Sequence, residues 1–351
     1  MSVQFSLSAG NEHYKQNTPQ GYMLDNLLEI LGSESNMWYC DTFSMPSFRD
    51  LKRYYKGMGT VVMYCWWDPA DNRIQPILDE LDLDWIFITS DPLLAPQHPR
   101  VKTVKWNYQY GYHMELVKNT GLYIDCPERT FLCMMRNHKP ERLSFLSALY
   151  YKGLLSQGYI SYLGQVNTRF VHGRTPRPLK EITGITSQPD SEYMYMPGDN
   201  FKNWIEKNIP LELPNDSTQH EGNNTDFYTC GNPAWYARTK YSIVLETYWA
   251  HTQFLTEKTF KPIIAKHPFI NLGNRSNELL RSFGFDTFDD VFSTEHDYLR
   301  AAKKIEFVVE QLRDVDIDPH RCEYNYAVGQ DLLRQAELEQ KHLAKQVADL
   351  L

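Results

Sequence analysis

The chain has 351 residues, of which 42% are hydrophobic, 23% charged and 14% aromatic, with a formal net charge of −8. That length passes the ~250–300 residues at which single cores split, and this apolar and aromatic content excludes disorder outside short loops, so two globular domains are expected. No apolar run approaches the roughly 20 residues that span a bilayer, and MSVQFSLSAGNEHYKQ at the start has neither the basic nor the apolar part of a signal peptide, so a soluble cytoplasmic protein is expected.

In chain order, Gly59–Trp67 (GTVVMYCWW) is a β-rich apolar run ending in Asp68-Pro69. Ile74–Leu83 places apolar residues 74, 77, 78 and 81 on one helical face. Trp85–Thr89 (WIFIT) reads as a second buried strand, ending in Ser90-Asp91-Pro92, and Val101–Trp106 as a third. Continuous apolar strands separated by helices imply a parallel sheet covered on both faces, so residues 1–125 read as one α/β domain.

A second unit, 126–329, opens with the strand Thr130–Met135 and a helix from about Pro140 to Leu155, whose apolar face uses Leu143, Leu146, Leu149 and Tyr150. Tyr159–Leu163 is the next strand. Residues 166–235 are loop-rich with many prolines, an insertion long enough to be a lid or acceptor loop, with one helix at Phe201–Ile209. The αβ pattern resumes at 241, and Asn277–Phe283 and Glu295–Arg313 read as helices. Residues 330–351 form an amphipathic helix with Leu332, Leu333, Ala336, Leu343 and Val347 near one stripe, expected to pack back on the first domain. The fold class is therefore α/β: two facing Rossmann-like domains with a C-terminal helix, the ligand held in the cleft between them.

The most informative segment is YSIVLETYWAHTQFLTEKTFKPIIAKHPFINLG, residues 241–273. It reads as a buried strand with an acidic end (Glu246), a loop, a Thr-Glu-Lys helix start (Thr256, Glu257, Lys258), and a second strand closed by Gly273. Phosphates and riboses bind where the strands of such a sheet end and its helices begin. Glu257 there can accept from a ribose diol, and Lys258 can neutralise a diphosphate. Lys258 opposes the helix dipole in a first turn, and a bound anion would explain it; for Glu257 the dipole alone is an alternative reading. Thr256 is expected to cap the helix. Glu246 could contact the donor sugar or the loop, and Tyr248 and Trp249 could stack on a base or belong to the core.

This segment resembles the donor-binding motif of the α-1,3-fucosyltransferases, through Leu245-Glu246-Thr247, Phe254-Leu255-Thr256-Glu257-Lys258 and Pro268-Phe269-Ile270-Asn271-Leu272-Gly273. FLCMMRNHKPERLSFLSAL resembles the same family's preceding strand and Arg-x-x-Phe helix start, placing Arg142 and Phe145 on its motif. More weakly, WIFITSDP resembles its N-domain strand with the catalytic acid, at Asp91. Thr247-Tyr248 replaces the family's Asn-Ser, the gap to Thr256 is about one residue longer, and Pro262 falls inside the expected helix, which leaves base and sugar open. The resemblance implies a GT-B fold and metal-independent, inverting transfer of a sugar from a nucleoside diphosphate. Arg142 would grip the departing diphosphate, and Asp91, with Asp68 after Trp66-Trp67 as rival, would take the acceptor's proton.

No cofactor or metal is expected. There is no Gly-Lys-Ser/Thr loop, Gly-x-Gly-x-x-Gly or Gly-x-Ser-x-Gly, and the six cysteines form no C-x-x-C pair. Asp82-Leu83-Asp84 precedes its strand, where a metal-binding Asp-x-Asp would follow one. Residues 129–180 hold nine Lys and Arg against the single Glu141, so this block is either a solvated face or a polyanion site. The acceptor therefore stays open between a glycan or small-molecule hydroxyl and a hydroxylated base in DNA, whose phosphates the basic block would contact. A nucleotide-sugar epimerase of the same fold and a non-catalytic nucleotide-binding protein are the competing readings.

Overall fold

Each long apolar run becomes a parallel strand. The computed structural model describes residues 4–6, 26–27, 29–30, 37–41, 60–65, 78, 84–89, 95, 97–117, 127–137, 139–165, 198–209, 211, 213, 230, 232–246, 253 and 255–351. It divides into two units, Met1–Leu116 with Gln330–Leu351, and Val117–Gly329. Both are α/β units built on parallel sheets.

The first unit holds β1 (Gln4–Ser6), β2 (Met37–Asp41), β3 (Thr60–Cys65), β4 (Asp84–Thr89) and β5 (Val101–Lys105), paired in chain order. β3, β4 and β5 fall on the three apolar runs of the sequence, whereas β1 and β2 are additions to it. β4 has five buried residues after Asp84 because both sheet faces are covered. The pleat sends Val62, Ile86, Ile88 and Val104 to one face, where they cluster with Ala336, Leu343, Ala344 and Val347.

Those four residues belong to the long C-terminal helix Pro319–Ala348, which closes this core from the far end of the chain. The helix begins eleven residues before the amphipathic stripe suggests. Pro319 opens it, where a missing N–H costs nothing, and the Asp318 carboxylate accepts from the His320 N–H at 3.0 Å. A turn of 3-10 helix at Asn107–Tyr112 runs close beneath it. A Cβ on Gly111 would lie 2.5 Å from the Leu332 carbonyl oxygen, so only glycine permits that approach.

The second unit holds β6 (Arg129–Asn137), β7 (Gly158–Gln165), β8 (Thr239–Val244) and β9 (Phe269–Asn271) in the order β7-β6-β8-β9, all parallel. Its helices among the described residues are α1 (Pro140–Tyr151), α2 (Asp199–Asn208), α3 (Pro233–Ala237), α4 (Glu257–Ile264), α5 (Ser276–Ser282) and α6 (Ala301–Gln311); the C-terminal helix Pro319–Ala348 is α7. The chain steps from β6 outward to β7, returns past β6 to β8, and continues the other way to β9. The strand order therefore reverses between β6 and β8. Parallel crossovers are right-handed, so α1 and α4, which leave this point in opposite directions, lie on opposite faces of the sheet.

α1 is buried nearly all round, from Arg142 to Leu149, and so lacks the one-sided pattern expected of a surface helix. α4 buries Phe260, Ile263 and Ile264 and runs through Pro262. Of the insertion at 166–235, the described parts include α2, as expected, and α3, which the sequence did not signal. Among the described residues no helix is long and apolar enough to cross a membrane.

Candidate functional site

In an open parallel sheet the crevice for a ligand lies at the carboxyl ends of the strands where their order reverses, because the flanking helices there diverge to opposite faces. Here that point lies between β6 and β8. Arg142 occupies the first turn of the helix after β6. Glu246 follows the end of β8, and Thr256, Glu257 and Lys258 form the start of the helix after it. Five of the residues singled out in the sequence are thus carried to one end of one sheet.

Local rules explain how α4 begins. Thr256 is extended, and its hydroxyl accepts from the Lys258 N–H at 3.3 Å, so it caps the helix as expected. The Thr256 N–H donates to Glu246 Oε1 at 2.9 Å, and the Thr256 hydroxyl donates to Glu246 Oε2 at 2.6 Å. Thr259, one turn in, donates its hydroxyl to Glu246 Oε1 at 2.5 Å. Glu246 is fully buried and bridges the strand end to the helix start with both of its oxygens.

The charges of the site are close together and nearly all out of water. Arg142 is 4% exposed and Glu257 3%. Burial draws the Arg142 pKa down, and the Glu257 carboxylate is the largest of the charges that oppose this, with Cys133, Glu141 and Glu246 adding to it. Arg142 stays a cation at neutral pH, since a guanidinium starts so high. Lys258 Nζ donates to Glu257 Oε1 at 2.8 Å and keeps about a quarter of its side chain in solvent. Two cations therefore stand in first turns of two helices, where the dipole favours anions, matched by two internal carboxylates. Behind them, burial pushes the Cys133 thiol up to about 12 despite Arg142, so it is a packed thiol and not a nucleophile.

A second buried polar cluster supports the end of β9. Asn271 donates through Nδ2 to Thr259 Oγ1 at 2.6 Å and accepts at Oδ1 from the Gly273 N–H at 2.8 Å. A Cβ on Gly273 would run into the Ser276 hydroxyl, so a side chain there would have to displace that group. Lys304 donates to the Gly273 carbonyl at 3.1 Å, and Asn277 bridges the Asn271 carbonyl to Asp297 at 3.1 and 2.8 Å. Burial lowers Lys304 to about 8, opposed by Asp297.

Of these residues the sequence marked Gly273 as the close of the strand and named Asn271 only as part of that motif, while Ser276, Asn277, Asp297 and Lys304 were not singled out. Lys304 carried a usable signal: it falls at a core-facing position among Ala301, Ile305, Val308 and Val309 on α6. Asn271 carried another, as a polar residue within the apolar run FINL.

Asp68, Asp91, Tyr248 and Trp249 lie outside the described residues. So does all of the basic stretch beyond Gln165; of its charged side chains within them, Arg129 and Lys152 are exposed, Lys139 and Glu141 are half-buried, and Arg142 is in the site. Asp84 is the first residue of β4, while Asp82 and Leu83 lie outside the described residues. Among the described residues no group of three or more His, Cys, Asp or Glu is gathered as a metal site.

No family model matches the chain, and no curated protein matches it. Among solved structures, a DNA-modifying β-glucosyltransferase, studied with and without its substrate uridine diphosphoglucose, aligns over 93% of this chain and 92% of its own. The identity is 8% and the TM-score 0.32, a likeness too slight to carry an argument about fold or function.

Proposed function

We propose that the unit Val117–Gly329 holds the diphosphate and ribose of a nucleotide sugar at the ends of β6 and β8, and that the protein is a glycosyltransferase. One observation carries this reading: Arg142 and Lys258, on helices that start on either side of the strand-order reversal, are brought together with Glu257 in a nearly dry site. Local electrostatics disfavours a cation in either first turn by about 0.3–1 kcal/mol, and a bound diphosphate would reverse that sign.

In the chemistry that follows, Lys258 leaves Glu257 for the diphosphate, and Glu257 accepts from the two ribose hydroxyls. Arg142 grips the phosphate oxygens of the leaving group, where charge develops as the bond to the anomeric carbon breaks. The acceptor oxygen forms its bond to that carbon from the opposite side and gives its proton to a carboxylate, Asp91 or its rival Asp68. The electron pair of the broken bond departs with the nucleoside diphosphate. The facing GT-B arrangement, metal independence and inversion belong to the same proposal.

The test is release of nucleoside diphosphate from a panel of nucleotide sugars, with no acceptor, with glycans, and with duplex DNA carrying hydroxymethylated bases. Release that requires an acceptor supports the reading. Donor turnover without acceptor would replace it with an epimerase, and binding without turnover would reduce the protein to a nucleotide-binding module. Among the acceptors, DNA predicts activity falling steeply with salt, because phosphate contacts release counterions.

A further inference from the structure

Resting on that donor-site reading, we propose that Glu246, Thr259 and Asn271 are positioning residues that lock the helix start bearing Glu257 and Lys258 to the ends of β8 and β9, and that the Glu246 carboxylate does not touch the donor sugar. Glu246 has a position that invites a ligand role, yet it is fully buried and three protein donors converge on it. Two of them come from Thr256 and one from Thr259, the residues that bracket Glu257 and Lys258.

The hydrogen bonds run in one direction. The Gly273 N–H donates to Asn271 Oδ1, Asn271 Nδ2 donates to Thr259 Oγ1, and the Thr259 hydroxyl donates to Glu246. The chain ends on the Glu246 side chain, and hydrogen bonds linked in one sense reinforce one another. Thr256 has its own hydrogen on Glu246, and so turns its lone pairs to the Lys258 N–H and to Lys258 Nζ, each at 3.3 Å. Moving any member would shift the residues that hold ribose and diphosphate.

Two readouts test this on the full-length protein. The first is calorimetric binding of UDP and GDP and of the matching nucleotide sugars to wild type, Glu246→Gln, Thr259→Val and Thr259→Ser. Positioning predicts that Glu246→Gln and Thr259→Val weaken nucleoside diphosphate and nucleotide sugar by the same factor, about 5–50-fold for one or two lost buried hydrogen bonds, and that Thr259→Ser restores affinity. A loss confined to the nucleotide sugar would make Glu246 a sugar contact and overturn the proposal.

The second readout is amide hydrogen exchange, which does not depend on a ligand. Exchange at Thr256, Lys258 and Thr259 should rise at least about tenfold over that of β8 in Glu246→Gln and Thr259→Val, and stay near wild type in Thr259→Ser. Unchanged exchange overturns positioning whether or not any nucleotide binds. Wild type that binds no nucleotide sinks the donor-site reading, while exchange still decides the network. If Thr259→Val does not fold, Glu246→Gln carries both measurements.

Discussion

The two parallel sheets are built from similar apolar runs and differ in the order of their strands. In the first unit the described strands pair as β1-β2-β3-β4-β5, in chain order, with no reversal among them. One face of that sheet is sealed by apolar side chains of the C-terminal helix Pro319–Ala348. In the second unit the order β7-β6-β8-β9 reverses once, and buried Arg142, Glu246 and Glu257 stand at that reversal, while Lys304 and Asp297 are buried past the end of β9. The lesson is that hydrophobicity builds both sheets alike, while connectivity decides where the helices after neighbouring strands diverge to opposite faces.

The largest expected effect separates the roles of the two units. Asp91→Asn should lower the rate of sugar transfer by about 10²–10⁴-fold, the range for loss of a general base, while donor affinity stays within twofold. Single-turnover kinetics beside calorimetry would show it, and a fully active variant would move the base elsewhere, to Asp68 first.

Charge removal in the second unit comes next. Lys258→Ala and Glu257→Ala should each weaken nucleotide binding by about 1–3 kcal/mol, as loss of a charge-assisted hydrogen bond does. Glu257→Gln sharpens the point, since it frees Lys258 from its 2.8 Å partner. It should bind a nucleoside diphosphate less well, and bind inorganic pyrophosphate at least as well as wild type. Unchanged nucleotide affinity in both alanine variants would remove the site from the β6–β8 crevice.

A pH dependence belongs to the second unit as well. Burial holds His267 down at about 4, and the geometry agrees: Nδ1 stands 2.9 Å from the Ser242 hydroxyl and Nε2 2.8 Å from the Thr239 carbonyl, a pattern one neutral tautomer satisfies. With its folded pKa below the unfolded 6.5, the stability His267 contributes is present above pH 6.5 and lost as pH falls through about 4. Urea titrations should show a loss of at most about 3 kcal/mol over that window, with a smaller slope in His267→Gln. Equal slopes would mean the imidazole is not protected.

The smallest effect tests the sealed face of the first sheet. Val347 is fully buried against Val62, Ile86 and Ile88, so Val347→Ala should cost about 1–2 kcal/mol of unfolding free energy with nucleotide affinity unchanged. An affinity loss as large as that of Lys258→Ala would mean the two sheets do not divide the work as described.

Much of this was legible residue by residue. β3, β4, β6, β7 and β8 coincide with apolar runs within two residues, because a strand buried on both faces must be apolar throughout. The start of α4 was readable because Thr256 is a capping residue directly before an acidic first turn. β1 was not, since three residues give no periodicity to read. The two roles left open for Glu246 show a limit of another kind: a carboxylate at a strand end has the same sequence signature whether it meets a ligand or three protein donors.

What the amino-acid sequence determined by itself was local: which runs are buried, where Thr256 starts a helix, and that Glu257 and Lys258 share its first turn. Backbone sterics, capping and desolvation act over a few residues, and those can be read in one dimension. Only the tertiary structure decided that β6 lies beside β8, that Arg142 therefore shares a dry site with Glu257, and that Asn271, Thr259 and Glu246 join in one chain of hydrogen bonds. Pairing β6 with β8 joins residues about a hundred positions apart, and that choice depends on the packing of the whole sheet, which no local pattern encodes.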